Sequence, residues 1–197
     1  AGDPPVPAGL SIVDMMAGAQ LCQGVLALLV RRGVSGRGGR VDVSLMEAAI
    51  DLQFEHLTTF LNQDGAMPQR SGVANGNPYL PAPYGIYATS DGYLALAMAP
   101  LDRLFALIGL DVPAPSAADR DTIKAQLRDH IAMQTTAHWL GVLEPAGIWA
   151  AAVLDWPALV ATPAFAALNM TQRITAADGA TLTTTRCPIR IDGAVLT

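Results

Sequence analysis

Arginine and glycine are crowded together in one short stretch of the sequence. Residues 31–40 contain four of the chain's twelve positive charges and four glycines: Arg31, Arg32, Arg37, Arg40, Gly33, Gly36, Gly38 and Gly39. Glycines let backbone N–H groups approach an anion, and arginine adds bidentate side-chain donors. The stretch therefore predicts a site for a small anionic ligand. A surface connection with solvated arginines is the alternative, because arginine is mostly exposed in any protein.

One carboxylate stands where a helix is expected to begin. Ser11 precedes Asp14 by three residues, and a long apolar run comes after them. This is the spacing of a capping box variant, in which Asp14 satisfies N–H groups of the first helical turn. A carboxylate near a helix N-terminus gains roughly 0.3–1 kcal/mol in its ionised form, and the same amides can stabilise an oxyanion. The spacing alone leaves Asp14 as either a helix cap or a reactive carboxylate.

The other reactive side chains form no recognisable catalytic or metal-binding group. The two cysteines, Cys22 and Cys187, match neither a disulfide framework nor a zinc spacing. The three histidines have no nucleophile at a telling position: His56, His130 and His138. One acidic row at helical spacing is predicted to be a solvated face: Glu47, Asp51 and Glu55. We therefore predict no metal site and a reducing, cytoplasmic setting.

Composition argues against several classes of protein. A net charge of −5 and a pI near 5.0 do not suit a nucleic-acid binder, which needs a clustered excess of Lys and Arg. The longest uncharged stretch, residues 15–30, is shorter than the roughly 18 residues of a membrane span, so we expect a buried helix and no membrane partner. Residues 1–9 do not resemble a signal peptide. Because 51% of residues are hydrophobic, some apolar surface is expected to meet another chain or segment.

The elements around the arginine–glycine stretch are predicted from its flanking patterns. Apolar residues at almost every position predict a central helix over residues 11–30, which the glycines of residues 33–39 end. Residues 41–45 alternate as a short strand should. A second helix is predicted next, with an apolar row at helical spacing and a stop near Gly65: Ile50, Phe54, Leu57 and Leu61.

A long polar connection, residues 67–83, is predicted to separate two structural units. Beyond it, residues 84–88 and 93–98 flank a turn at Ser90-Asp91-Gly92 and predict a hairpin. Helices are expected over residues 101–110, 117–133, 137–143 and 157–168. Residues 171–191 predict a second hairpin around Ala177-Asp178-Gly179.

An ordered series of short motifs runs through the chain. It consists of Ser11-Ile-Val-Asp14, the arginine–glycine stretch, Val41-Asp-Val-Ser-Leu-Met-Glu-Ala-Ala49, Arg70-Ser-Gly, Asn77, Ala82-Pro-Tyr-Gly-Ile-Tyr87, Ser90-Asp-Gly92 and Arg186-Cys-Pro-Ile-Arg190. In this order the series closely resembles the family III coenzyme A transferases. The resemblance covers nearly the whole chain, but in family members it would begin well after the N-terminus.

The resemblance implies a fold and an assembly. We expect an α/β protein that comprises the C-terminal part of the family III fold, with central helices plus a small α+β domain. Residues 1–66 would belong to a large domain with linker helices, residues 67–170 to the small α+β domain, and residues 171–197 to a hairpin that returns toward the large domain. Family members look like interlocked dimers, so we expect a homodimer or an association with a complementary N-terminal half.

The resemblance also implies residue roles. In the family, the aspartate that matches Asp14 attacks an acyl-CoA thioester to give a mixed anhydride, then an aspartyl-CoA thioester, and finally passes CoA to a carboxylic acid. The apolar neighbours of Asp14 would keep water from the anhydride. Arg37 and Arg40 would hold the phosphates of CoA, and Asn75-Gly76-Asn77 matches a loop over the active site. Coenzyme A thioester is then a substrate, and no prosthetic group is expected.

Two other functions remain open. A CoA-ester racemase or epimerase of the same superfamily would use the aspartate as a base, with an upstream His and a Glu after the second strand of the first hairpin. Residues 97–102 contain no Glu, which favours the transferase. The other alternative is a non-catalytic fragment that needs a partner chain.

Overall fold

The computed structural model describes residues 7–74, 76–111 and 120–195. Three helices come first: α1 (Ile12–Ser35), α2 (Leu45–Leu52) and α3 (Phe54–Leu61). A mixed unit comes next, with β1 (Gly85–Ala88), β2 (Tyr93–Leu96), α4 (Leu101–Ile108), α5 (Arg120–Ile131), α6 (Thr136–Leu143) and β3 (Ala150–Ala152). The last elements are α7 (Trp156–Val160), α8 (Pro163–Leu168), β4 (Thr171–Thr175), β5 (Thr181–Thr185), β6 (Arg190–Ile191) and β7 (Ala194–Val195).

Helix α1 is the predicted first helix, and it is longer than its apolar run. It ends only at Gly36, whose φ of 70° suits a left-handed C-cap and whose N–H bonds to the Arg32 carbonyl at 2.9 Å. We predicted that this helix is buried, but no residue of α1 is buried by the rest of the chain. Helix α2 and the connection after α1 pack on one side of α1, which leaves most of its apolar surface open.

Helix α1 also has the length and composition of a membrane span. Core helices of soluble proteins have the same properties, so a single helix of this kind is weak evidence for a membrane. The absence of a membrane partner stays a prediction.

The prediction of a strand over residues 41–45 is wrong, although Ser44 has an extended backbone. The expected alternation is present, because Val41 and Val43 are half-buried and the residues after each are exposed. No described strand pairs with the segment. Val41 instead packs on α1 beside Gly24, where a Cβ would overlap the valine side chain. Because Ser44 is the N-cap of α2, Leu45 is already helical.

The second predicted helix is present but broken at Gln53. There the backbone φ and ψ are −102° and 12°, so α2 ends and α3 begins. The Gln53 N–H donates to the Ile50 carbonyl at 3.0 Å, which is a hydrogen bond of the 3₁₀ type, between residues three apart. The predicted apolar row crosses this break and stays partly exposed: Ile50, Phe54, Leu57 and Leu61.

The first predicted hairpin is confirmed and carries a further strand. Strands β1 and β2 pair antiparallel with Tyr87 opposite Leu94, and β3 pairs with β2, so the strand order is β1-β2-β3. The sequence did not predict β3. Helices α5 and α6 pack on this sheet, and α4 packs on α6. The buried core lies among them: Ala82, Tyr87, Leu94, Leu96, Leu104, Phe105, Ile108, Ile123, Leu127, Ile131, Trp139, Leu143 and Ile148.

The C-terminal part is a series of short elements. The helix predicted over residues 157–168 is divided into α7 and α8, because Pro163 begins a new helix whose N-cap is Thr162. The second predicted hairpin is confirmed as β4 and β5, with Thr171 opposite Thr185. A short pair, β6 and β7, comes after it.

The polar connection between the two predicted units contains no helix or strand in its described residues. The buried core lies beyond most of it, between Ala82 and Ile148, whereas Ala48 is the one buried residue of α1, α2 and α3. The domain boundaries at residues 66 and 170 stay predictions, since these observations do not measure independent folding.

Candidate functional site

Asp14 lies in the first turn of α1, three residues after Ser11. The Ser11 side chain makes no capping hydrogen bond, and its φ and ψ of −76° and 55° differ from the extended geometry usual for an N-cap. The Asp14 carboxylate is exposed and makes no hydrogen bond or ion pair to another described residue. The capping interpretation therefore lacks the hydrogen bonds that it requires, and the carboxylate is available to react.

The surroundings of Asp14 favour an anion but do not exclude water. The first N–H groups of a helix have no intrahelical acceptor, so the start of α1 is its positive end. Of the neighbours expected to exclude water, Ile12 is 39% exposed and Met15 is 59% exposed, while Val13 and Met16 are half-buried. A dry site at Asp14 therefore needs a further surface laid over the start of α1.

A hydrogen bond ties α1 to the next helix. The Gln20 amide nitrogen donates to Oδ2 of Asp51 at 2.7 Å. Asp51 belongs to the predicted acidic row, and Glu47 of that row bonds to Ser44. Two of the three carboxylates thus have hydrogen-bonding roles, and the described residues contain no group of side chains suited to a metal.

The arginine–glycine stretch is organised by Arg31. Its guanidinium reaches back from α1 and donates to the Gly38 carbonyl at 2.6 Å and to the Arg37 carbonyl at 3.4 Å. The Ser35 hydroxyl donates to the Arg31 carbonyl at 2.8 Å. Arg31 therefore shapes the loop, because its Nε and Nη2 atoms both donate to loop carbonyls.

The two predicted anion-binding side chains are both exposed. Nε of Arg40 lies 2.8 Å and Nη2 lies 2.6 Å from Oδ1 of Asp42, in an exposed ion pair. Such pairs contribute little to stability and exchange partners readily. The Arg37 guanidinium has no partner among the described residues. Of these two side chains, Arg37 is therefore the more available to a ligand.

A groove of about 280 Å³ separates α1 from this loop. It is lined mostly by apolar side chains: Leu21, Val25, Leu28, Leu29, Arg32, Gly38, Gly39 and Val41. Arg37 and Arg40 do not line it. The predicted anion site is therefore an open surface and not a closed phosphate pocket within this chain.

Asp14 and the arginine–glycine stretch lie at opposite ends of α1. At 1.5 Å per residue, the helix places Asp14 about 25 Å from Arg31 along its axis. The two predicted parts of the site are not brought together within this chain. A single ligand could contact both Asp14 and the arginine–glycine stretch of one chain only if it were about 25 Å long. A shorter ligand could contact Asp14 of one chain and the arginine–glycine stretch of a second chain.

Two residues of the predicted substrate loop are described, while Asn75 lies outside the described residues. Gly76 is exposed and lies against the Tyr84 ring. Oδ1 of Asn77 accepts a hydrogen bond from the Tyr79 N–H at 3.0 Å. Gly76 also borders an apolar groove of about 370 Å³ on the sheet, which is lined by Tyr84, Gly85, Ile86, Ala95, Leu96, Ala97, Trp149, Ala150 and Ala151. Trp149, 81% exposed, forms one wall of it.

The motif that begins at Arg186 has a structural role that the sequence did not predict. The Arg186 guanidinium donates to the carbonyls of Leu168, Asn169 and Cys187 at 2.8, 2.5 and 2.6 Å. Arg190 also donates to the Leu168 carbonyl, at 3.0 Å. These arginines cap the last carbonyls of α8. The only sequence signal was a pair of arginines at the expected place in the series of motifs.

Comparison with known sequences places this chain among coenzyme A transferases. The sequence model described as CoA-transferase family III matches residues 1–196. The chain is 28% identical over 182 residues to acetyl-CoA:oxalate CoA-transferase of Acetobacter aceti, which is 86% of this chain and 46% of that protein. It is 32% identical over 180 residues to an acyl-CoA transferase of Fusarium pseudograminearum, covering 85% of this chain and 38% of that protein. The chain thus spans less than half the length of these two relatives.

A solved structure has the same fold. The crystal structure of an aspartate-to-alanine mutant of Rv3272 from Mycobacterium tuberculosis matches 98% of this chain and 52% of that one, with a TM-score of 0.78 and 25% identity. The match agrees with the predicted α/β fold, and this chain corresponds to about half of the length of that structure. The dimer stays a prediction.

Proposed function

This chain belongs to CoA-transferase family III, and on that premise we propose that it supplies the nucleophile for transfer of coenzyme A between an acyl-CoA thioester and a carboxylic acid. The observation that carries the proposal is the Asp14 carboxylate, exposed and unpaired among the described residues at the positive end of α1. A nucleophilic carboxylate must be accessible and free of partners that would block it, and Asp14 meets both requirements among the described residues.

The first half of the reaction moves CoA onto Asp14. One carboxylate oxygen of Asp14 bonds to the acyl carbon of the thioester, the C–S bond breaks, and CoA leaves as a thiolate. The thiolate then bonds to the aspartyl carbonyl carbon. The anhydride bond at that carbon breaks, and the donor acid leaves as its carboxylate. Asp14 now carries CoA as an aspartyl thioester.

The second half runs the same two steps toward the acceptor. The acceptor carboxylate bonds to the aspartyl carbonyl carbon and expels the CoA thiolate. The product is a second anhydride, between Asp14 and the acceptor acid. The thiolate bonds to the acceptor acyl carbon, and the bond between that carbon and the shared oxygen breaks. Acceptor acyl-CoA leaves, and Asp14 returns as a carboxylate. No electron is gained or lost in these steps, so the scheme needs no redox cofactor, and Asp14 itself carries the CoA group between donor and acceptor.

Negative charge develops on the carbonyl oxygens in each of these steps. The free N–H groups of the first turn of α1 lie beside Asp14 and can donate to such an oxyanion. Loss of the anhydride to water is the main competing reaction, and Ile12 and Met15 are too exposed to prevent it without a covering surface. We therefore propose that the complete site includes a surface from outside this chain.

The remaining predicted residues have supporting roles in this proposal. The phosphates of CoA lie at the end of the molecule far from its sulfur, which suits Arg37 and Arg40 at the far end of α1 or on a second copy. Gly76 borders the groove on the sheet, and we propose that Gly76 and Asn77 lie near the acyl group. We propose a homodimer or a complex with a complementary N-terminal half, acting in the cytoplasm without nucleic acid or membrane.

Covalent trapping at Asp14 tests the proposal. The purified chain, with any copurifying partner, is incubated with a panel of acyl-CoA thioesters and then with hydroxylamine, and the peptide that contains Asp14 is analysed by mass spectrometry. We expect an aspartyl hydroxamate at Asp14 only after acyl-CoA has been added. Asp14→Asn and Asp14→Ala should reduce transfer by at least about 1,000-fold with nearly unchanged CoA affinity, because a nucleophile acts mainly in the transition state.

Asp102→Asn is the matched control, since Asp102 is also exposed and also lies in the first turn of a helix, α4. It should leave transfer unchanged. Normal turnover by Asp14→Asn, without deamidation back to aspartate, would refute the covalent route. Deuterium uptake at the α-carbon of the acyl-CoA without hydroxamate formation would point to a racemase instead.

A further inference from the structure

Three charged side chains of α5 hold the backbone just before and just after the predicted substrate loop. The pairs are Asp121 with the Gly72 N–H, Lys124 with the Ala74 carbonyl and Arg120 with the Pro78 carbonyl. Their donor–acceptor distances are 3.5, 3.2 and 2.9 Å in that order. Arg120 and then Ser71 hold the pKa of Asp121 below its usual range. One helix thus contacts the segment on both sides of Gly76.

Lys124 is the most unusual of the three, because it is only 1% exposed. It shares a helical face with Leu127 and Ile131, both of which belong to the buried core. Lysine is almost never buried without a partner, because an unpaired buried charge is strongly destabilising. Burial, and after it the charge of Arg120, lowers the pKa of Lys124. The partner that the structure gives to Nζ is the carbonyl of Ala74.

Ala74 has a backbone conformation that needs such support. Its φ is 47°, in the left-handed region that residues with a side chain seldom adopt. Its carbonyl oxygen lies so close to Gly85 of β1 that a Cβ at Gly85 would overlap it. Ala74 is therefore held between Lys124 on one side and the backbone of β1 on the other.

The position of Ala74 affects the next part of the loop. Two residues further on, Gly76 lies against the Tyr84 ring and borders the apolar groove on the sheet. Tyr84 immediately precedes Gly85, so the same strand end contacts both Ala74 and Gly76. A shift of Ala74 would move Gly76 relative to the groove.

We propose that Lys124 is a positioning residue for substrate: by holding Ala74 in its left-handed conformation, it sets where Gly76 lies at the edge of the groove between Tyr84 and Trp149. The inference rests on the proposed function, in which this edge lies near the acyl group of the thioester. Lys124 itself touches no reacting atom. Its effect on the reaction passes through the backbone.

Hydrogen exchange tests the anchoring without any need for activity. The comparison uses the full chain and Lys124→Met, which keeps the length and apolar stem of the side chain but removes its donor. We expect amides of the segment from Gly72 to Asn77 to exchange about tenfold faster, the factor that corresponds to loss of one hydrogen bond from a charged donor. Arg103→Met is the matched control, because Arg103 also donates to a backbone carbonyl, that of Ala146, but away from this segment.

Kinetics test the effect on substrate. In the active assembly, Lys124→Met should raise KM for the acyl-CoA thioester by about tenfold and change kcat by less than about twofold, because Asp14 and α1 are untouched. Arg103→Met should change neither. If Lys124→Met does not fold, Lys124→Gln provides the comparison, since its shorter side chain removes the ammonium that donates to the Ala74 carbonyl.

Each result decides the proposal. Unchanged exchange in Lys124→Met overturns the anchoring, and faster exchange with unchanged KM overturns the role in substrate positioning. A loss confined to kcat also overturns it. If the unmodified protein transfers no CoA, the proposed function fails, while the exchange comparison still decides whether Lys124 holds the segment.

Discussion

The Ser44 hydroxyl donates to Oε2 of Glu47 at 2.6 Å, and the two residues complete a reciprocal capping box at the start of α2. The Glu47 N–H donates to the Ser44 hydroxyl at 3.1 Å, and the Ser44 N–H donates to Glu47 at 3.0 Å. The same spacing of serine and acid occurs at Ser11 and Asp14, where Ser11 makes no capping bond. Both acids are exposed, but Glu47 is hydrogen-bonded in a capping box whereas Asp14 has no partner among the described residues.

The two serines should therefore respond differently to the same substitution. Ser44→Ala should lower the free energy of unfolding by about 1 kcal/mol, because it removes an N-cap acceptor. Ser11→Ala should change it by less than about 0.5 kcal/mol, as for an ordinary surface position. Urea unfolding followed by circular dichroism measures both. Equal effects of the two substitutions would show that Ser11 caps α1 in solution.

Two arginines of the arginine–glycine stretch, Arg31 and Arg37, are expected to differ in their roles. Arg31→Met should speed hydrogen exchange of the loop, since it removes the bonds to the Gly38 and Arg37 carbonyls. Arg37→Met should leave stability within about 0.5 kcal/mol of the parent, because its guanidinium has no described partner.

Binding of CoA separates the same two arginines. In the complete assembly, Arg37→Met should weaken CoA binding and reduce its dependence on salt, as expected when a contact with phosphate is lost. Calorimetry at two salt concentrations provides the measurement. If affinity and salt dependence stay at parental values in Arg37→Met, Arg37 is not part of the CoA site.

Acid should weaken the contact between the first hairpin and α6. Oδ1 of Asp91 accepts bonds from the Thr136 N–H at 2.8 Å and from the hydroxyls of Thr136 and Thr89, each at 3.1 Å. The backbone N–H of Thr136 is the main reason that the pKa of Asp91 lies below its ordinary value of 3.8. The folded state therefore binds this proton less readily than the unfolded state. The stabilisation is complete above the ordinary pKa and is lost as pH falls through the folded pKa.

Asp91→Asn isolates that contribution. We expect the difference in unfolding free energy between the parent and Asp91→Asn to be constant between about pH 6 and pH 7, because this range lies about two units or more above the ordinary pKa. The difference should shrink on acidification below about pH 4. Thermal or urea unfolding across this range measures the difference. A difference that is the same at about pH 3 and pH 7 would contradict the role of the ionised carboxylate.

The hairpins were predictable because their signals are local. Gly92 and Gly179 come directly after aspartates in short turns between alternating segments, and in each case the turn and the strands beside it lie within a few residues of each other. Helix α1 was predictable for the same reason, and Gly36 ended it as a glycine C-cap should. The third strand, β3, was not, since Ala150–Ala152 has no turn signal and owes its conformation to pairing with β2.

By itself the sequence determined the order of the motifs, and with it the family, together with the place of Asp14 at the start of a helix. Only the tertiary structure decided that Val41 packs on α1 instead of pairing as a strand, that Ser44 caps its helix while Ser11 does not, and that Lys124 bonds to Ala74, 50 residues away. Residue types state which groups are able to bond. Whether two such groups come within about 3 Å depends on how distant segments pack, and a local pattern does not contain that information.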